Sequence, residues 1–170
     1  MALLNSRTGY GLLPKILHWV IMVMLILMLA GGLSGAVYDN QTPHEILGKV
    51  ILALALIRLV LRFAAPHPAP DPNHAKWEIG LSHLVHWGLY LSLFLYPISG
   101  WMMVSAGNWG TTGNLGFVPD SWEYPLYTWH MSMKFVLLGF VGLHVAGALK
   151  HAVIDRDGTL RRMWFGTPRP

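Results

Sequence analysis

From Ile16 to Tyr38 the chain runs twenty-three residues without a single Asp, Glu, Lys or Arg. A helix needs about 20 apolar residues to cross a bilayer, so this stretch reads as a membrane span. It is not a cleavable signal peptide, because its apolar core is too long and Gly31-Gly32-Leu33-Ser34 offers no convincing cleavage pattern. Ile79 to Val104 is a second uncharged stretch, with Pro97 and Gly100 near its far end, where such residues often mark a kink. Tyr127 to Val153 is a third, interrupted by Lys134 and Lys150. The segment from His44 to Phe63 is weaker, since it holds Lys49, Arg58 and Arg62, yet Val50 to Ile57 is wholly apolar. Its start reads as an N-cap Thr42, a first-turn Pro43 and a capping-box Glu45. An even number of helices also returns the chain to one side. The expectation is an all-α, four-helix transmembrane bundle in one membrane-embedded domain over residues 1–170, with spans near 14–38, 43–64, 78–104 and 127–153.

The charges test that reading. Only 12% of residues are charged, against about 25% in a soluble domain. With the N-terminus inside, the inner ends collect Arg7, Lys15, Arg58, Arg62, Lys76, Lys150, Arg156, Arg161, Arg162 and Arg169. Only Lys49 and Lys134 fall outside, beside Asp39, Glu45, Asp120 and Glu123. This is the positive-inside bias, and it sets an N-in, C-in orientation. The basic excess therefore follows topology and excludes nucleic acid as a partner. Cysteine is absent, which removes disulfide scaffolds, thiolate zinc sites, iron–sulfur clusters and covalently attached haem. Two connectors are long: a Pro-rich inner linker at 64–78 and an outer loop at 105–126 carrying Trp109, Phe117, Trp122 and Tyr124. Trp19, Trp87, Trp101 and Trp129 sit at span ends as interface residues.

Seven of the nine histidines lie in or at the ends of the spans, where ionisable groups are costly and usually functional. His67 and His74 fall in the linker and read as solvated loop residues. His130 and His144 are fourteen residues apart, which puts them within about 40° of one helix face and about 21 Å apart along the axis. His44 opens the second span at the outer end, and His18 lies near the inner start of the first. The histidines thus pair by depth, His44 with His130 outside and His18 with His144 inside. Paired neutral imidazoles from facing helices suit bis-axial ligation of a haem iron, leaving it to pass single electrons. Arg58, fourteen residues after His44, reaches the inner depth and would pair with a haem propionate.

His83, His86 and His151 sit beside the proposed inner haem. The functional reading is a quinone site, with His86 and His151 hydrogen-bonding or protonating the quinone and Lys76 assisting. Against that stands the plain alternative of histidines exposed to headgroups. A zinc site at His83 and His86 lacks a completing carboxylate, cysteine or His-Glu-x-x-His motif.

Several motifs lie in order along the chain: Lys15-Ile16-Leu17-His18-Trp19; His44 with Leu59-Val60-Leu61-Arg62; and Gly80-Leu81-Ser82-His83-Leu84-Val85-His86. They continue with Pro97-Ile98-Ser99-Gly100, Trp129-His130, Gly142-Leu143-His144, Leu149-Lys150-His151 and the stretch from Asp155 to Met163. Across nearly its full length the chain resembles the bacterial cytochrome b561 family, small di-haem membrane proteins linked to quinol. The resemblance implies two b haems with ligands at His18, His44, His130 and His144, and a place in the bacterial inner membrane. It also implies ubiquinone as acceptor and, for stand-alone members, oxidation of superoxide.

Three functions follow as expectations. The first is a quinone-linked oxidoreductase or electron carrier between a periplasmic donor and the ubiquinone pool, superoxide being one such donor. The second is a haem anchor subunit serving a partner redox protein on the 105–126 loop. The third is a membrane protein without redox chemistry, such as a small transporter. The outer face, with two lysines against four carboxylates, offers little to attract an anion such as superoxide.

Overall fold

The computed structural model describes residues 2–6, 9–66, 68–69 and 74–164. Arg7, His67 and Arg169, which enter the sequence argument, lie outside the described residues. Among the described residues the chain is all-helical: α1 (Leu12–Ser34), α2 (Ala36–Asp39), α3 (Thr42–Ala64), α4 (Lys76–Ala106), α5 (Glu123–Leu149) and α6 (Thr159–Arg162). A 3₁₀ turn at Asp120–Trp122 leads into α5, and a π-helical segment at Lys150–Asp155 continues it.

Among the described residues three segments are long and apolar enough to cross a membrane: Leu12–Ser34, Lys76–Ala106 and Asp120–Asp155. α3 is as long as α1, at 23 residues, but carries Glu45, Lys49, Arg58 and Arg62. Those four charges explain its lower apolarity, and each has a place to go. Glu45 and Lys49 reach into the outer loop, while Arg58 and Arg62 lie over the rings of Tyr90 and Trp87 near the inner end. α5 packs along α4, α3 lies against α4, and α1 lies against α3. Leu17 and Ile21 of α1, Ile51 and Ala55 of α3, Val85 and Met103 of α4 and Leu137 of α5 form the apolar contacts between them.

Outside this seam the molecule is apolar where a soluble protein would be polar. Ile26, Leu27, Val60, Phe63, Leu84, Leu91, Phe135 and Leu149 are all exposed, a surface that water would not tolerate in such extent and a bilayer would.

Local sequence explains the helix ends. α1 stops at Gly35, whose φ of 82° is the left-handed conformation favoured at helix C-termini, so the first helix breaks short of the expected 38. Lys76 lies in the first turn of α4 rather than ahead of it. The last part of the expected 105–126 loop is instead the 3₁₀ turn and first residues of α5. Thr42 and Glu45 do not form the expected capping box. Gln41 precedes the helix without a side-chain cap, and Glu45 is drawn off by stronger donors in the outer loop.

Met163 and Trp164 fold back on α1. Lys15 Nζ donates to the Trp164 carbonyl at 3.0 Å, and Trp19 Nε1 donates to the Met163 carbonyl at 2.9 Å. Lys15 is thereby buried yet partnered, which is how a cation survives beside an apolar core.

Candidate functional site

The structure brings the four span histidines together in two pairs. His44, in the first turn of α3, faces His130 of α5 with ring centres 6.4 Å apart. His18 of α1 faces His144 of α5 with ring centres 6.0 Å apart. The spacing is chemically telling, because a metal held about 2 Å from a nitrogen of each imidazole sets the ring centres about 6 Å apart. Both pairs draw on α5, which carries two of these four histidines.

At the outer pair, His130 is buried and its orientation is set by α4. Ser99 Oγ donates to the Tyr96 carbonyl at 2.7 Å. Its hydroxyl proton is thus committed, so at 2.9 Å from His130 Nδ1 its oxygen accepts from that nitrogen. The Tyr96 carbonyl, 3.2 Å from Nδ1, is a second acceptor. With Nδ1 protonated, Nε2 keeps its lone pair and is the nitrogen available to a metal. The Tyr96 ring stacks on the imidazole at 4.2 Å. Close packing here demands glycine: a Cβ at Gly100 would lie 2.8 Å from His130 Cε1.

The loop above this pair is pinned. Glu45 accepts from the backbone N–H groups of Thr111 and Thr112, and from both hydroxyls, at 2.7 to 3.2 Å. Lys49 Nζ donates to Thr112 Oγ1 at 2.6 Å and lies over the Trp101 ring. Gln41 Nε2 donates to the Trp109 carbonyl at 2.6 Å. The outer end of α3 is thereby tied to the loop that follows α4.

The inner pair sits among cations and aromatics. Arg58 Nη1 donates to His18 Nδ1 at 2.9 Å, and Arg58 Nε donates to the Tyr90 hydroxyl at 3.4 Å. Arg58 is thus at the inner depth expected from its spacing. His86 joins this pair, its ring 5.2 Å from that of His144. Its Nδ1 donates to the Ser82 carbonyl at 2.6 Å, again leaving Nε2 as the free nitrogen. His83 is exposed on α4.

His151 is placed differently from His86. Its Nδ1 lies 2.6 Å from Asp157 Oδ2, and the same oxygen lies 2.8 Å from His74 Nε2. His74 is therefore no solvated linker residue. It is largely buried, with its ring 4.5 Å from that of His151. His74, just ahead of α4, docks at the end of α5 because a shared carboxylate draws both imidazoles to it. Burial alone would raise the carboxyl pKa of Asp157. Hydrogen bonds from Thr159, and then from His74 and His151, hold it below the usual carboxylate range. Lys76, grouped with this end by sequence, is exposed, and the lysine that contributes here is Lys150, bridging Glu78 and Asp155 at 2.6 Å each.

Sequence reading missed Ser99 and Tyr96 as partners of His130, Glu45 as the clasp of the outer loop, and His74 with Asp157. For the last pair the Asp155-x-Asp157 spacing just after His151 was a usable signal. For Ser99 nothing in its own neighbourhood pointed to α5.

Comparison with known proteins bears on the whole chain. Residues 9–166 match the family described as prokaryotic cytochrome b561. The chain is 29% identical to "Cytochrome b561 homolog 2" of Escherichia coli (strain K12), over 96% of this chain and 95% of that protein. It is 25% identical to "Probable superoxide oxidase CybB" of Yersinia pestis, over 91% of this chain and 94% of that protein. It is also 25% identical to "Cytochrome b561 homolog 1" of Escherichia coli (strain K12), over 86% and 92%.

Proposed function

This chain belongs to the prokaryotic cytochrome b561 family, and from that premise we propose that it carries electrons between a periplasmic donor and ubiquinone through two b haems. Membership brings a bilayer location, b-type haem and transmembrane electron transfer. The finer reading is ours: a multi-pass protein of the bacterial inner membrane with four spans, N-in and C-in, α3 being the fourth. One observation carries it, namely two histidine pairs at opposite ends of the bundle with ring centres 6.4 and 6.0 Å apart.

The residues fit the cofactor. His44 and His130 would hold an outer haem, His18 and His144 an inner one, and bound haem supplies single-electron chemistry at its iron. The protein's part is ligation, burial and charge. Ser99 keeps the proton on His130 Nδ1, so that Nε2 is presented as a ligand. Arg58 now donates to His18 Nδ1, which leaves the proton on His18 Nε2. Were Arg58 to pair instead with a haem propionate, His18 could carry its proton on Nδ1 and would present Nε2 as the ligand nitrogen. Beside the inner pair, His86 offers an unprotonated Nε2 to a quinol hydroxyl. His151, backed by the Asp157 carboxylate, holds a proton for the quinone oxygen.

The alternative of a superoxide:ubiquinone oxidoreductase draws on the likeness to the Yersinia relative, a probable superoxide oxidase. Electrostatics speak against it, since Lys49 is committed to Thr112 and Trp101 rather than offered to an incoming anion. The other reading, an anchor for a partner redox protein, draws on the exposed Phe117, Trp122 and Tyr124 of the outer face.

A reduced-minus-oxidised spectrum with a pyridine haemochrome assay on the purified protein tests the proposal. Two b haems per chain are expected, and a preparation without a b-type α-band overturns it. Stopped-flow mixing with superoxide and with quinol then separates the donors. Rapid reduction by superoxide with no partner protein present would favour the superoxide reading.

A further inference from the structure

At the inner end, apart from both histidine pairs, side chains from two distant segments converge on one oxygen. His74 Nε2 and His151 Nδ1 lie 2.8 and 2.6 Å from Asp157 Oδ2, and the three atoms all fall within 4.8 Å of one another. Asp155 Oδ2 lies 3.0 Å from the same His151 nitrogen. We propose that His74, His151 and Asp157, with Asp155 or water as fourth ligand, form a binding site for a divalent transition metal of the zinc class. The site is separate from the haem ligands but shares His151 and Asp157 with the proton-donating role proposed above, so a metal on His151 Nδ1 and a proton there exclude one another.

The donor set selects the ion. Two imidazole nitrogens with carboxylate oxygen suit Zn²⁺ and its first-row neighbours, whereas Mg²⁺ and Ca²⁺ favour oxygen throughout. The cluster also has the supporting contacts a metal site requires. The Thr159 backbone N–H donates to Asp157 Oδ1 at 2.8 Å, committing that oxygen and leaving Oδ2 to the histidines. Charge is favourable as well. Glu78, Asp155 and Asp157 stand around the single ammonium of Lys150, while Arg156 Nε donates to the Val153 carbonyl.

The backbone is shaped to bring these groups together. α5 changes to π-helical winding at Lys150–Asp155, a device common at functional sites. Arg156 then takes a φ of 54° although it is not glycine, and Gly158 follows at 80°. Left-handed turns at such positions are strained for a residue with a Cβ. Here they swing Asp157 back onto His151, which an ordinary helix end would leave pointing away. Occupied, the site would clamp His74, just ahead of α4, to the end of α5.

The test is calorimetric titration of the purified full-length protein in detergent with Zn²⁺ alone, and with Mg²⁺ alone in a second arm. One Zn²⁺ per chain and no Mg²⁺ is expected. His74→Ala and Asp157→Asn should each weaken Zn²⁺ binding roughly tenfold or more, with helical circular dichroism and elution volume unchanged. Zinc-edge X-ray absorption of the loaded wild type should show two imidazoles among nitrogen and oxygen ligands. The proposal is overturned if the wild type takes up no zinc, or if His74→Ala binds zinc as tightly as the wild type. Absence of imidazole scattering from the loaded wild type overturns it too, and that readout stands even where a variant fails to fold.

Discussion

The two ends of the bundle hold the same chemical pair, two imidazoles about 6 Å apart, in different surroundings. At the outer end the pair is oriented by short polar groups: Ser99 Oγ and the Tyr96 carbonyl take the His130 Nδ1 proton. Above it the loop is fastened by Glu45 and Lys49. At the inner end orientation comes from charge and rings, with Arg58 on His18 and Tyr90, and His86 against His144. The contrast separates rigidity from reactivity. Hydrogen bonds to neutral acceptors lock one tautomer in place, while a cation beside an imidazole can leave it to pair with a ligand's carboxylate. The inner end is therefore the one equipped to take up charged and protonated partners, and the outer end the one equipped to hold still.

That contrast can be broken experimentally, starting where the effect should be greatest. His130→Ala removes the imidazole proposed to hold the outer haem with His44, and the haemochrome assay should fall from two haems to about one. Retention of both would dissolve the pairing itself. Next, Arg58→Gln should leave haem content near two but lower the inner midpoint potential by about 60 mV, the equivalent of a tenfold change in a one-electron equilibrium. The outer potential should stay in place, so equal shifts at both haems in a redox titration would mean that the charge is not local to the inner end.

Smaller is the loosening expected from Glu45→Gln, which replaces a carboxylate accepting from two backbone N–H groups and two hydroxyls. A loss of about 1–2 kcal/mol would speed proteolysis between residues 107 and 119 roughly tenfold while the inner end keeps its protection. The smallest effect should come from Ser99→Ala. The Tyr96 carbonyl remains as an acceptor for His130 Nδ1, so the loss is about 1 kcal/mol at most. A weaker acceptor on Nδ1 makes the imidazole a poorer donor to iron, and the outer midpoint should rise by up to about 40 mV. A fall in that potential would contradict the tautomer assigned here.

Much of this was legible beforehand, for identifiable reasons. Uncharged runs such as Ile16–Tyr38 announce helices wherever the chain goes, because lipid leaves the backbone no other partner. The spacing of His130 and His144 carries depth, since a helix advances a fixed distance per residue. Glu45 shows where such reasoning stops. Its place three residues after Thr42 satisfies a local capping rule, yet Thr111 and Thr112, more than sixty residues away, offer four donors where the helix start offers one. His74 is the same lesson reversed: a linker histidine is solvated until a remote carboxylate captures it.

The sequence by itself determined the helices, their apolar surface and the relative depth at which the paired histidines lie along them. All of these follow from helical rise and from the cost of charge in hydrocarbon, which act along one segment at a time. The tertiary structure alone decided which nitrogen of His130 is protonated, that Arg58 reaches His18, and that Asp157 gathers His74 with His151. Those outcomes depend on how helices are rotated and how closely they approach, and lateral packing of distant segments sets both.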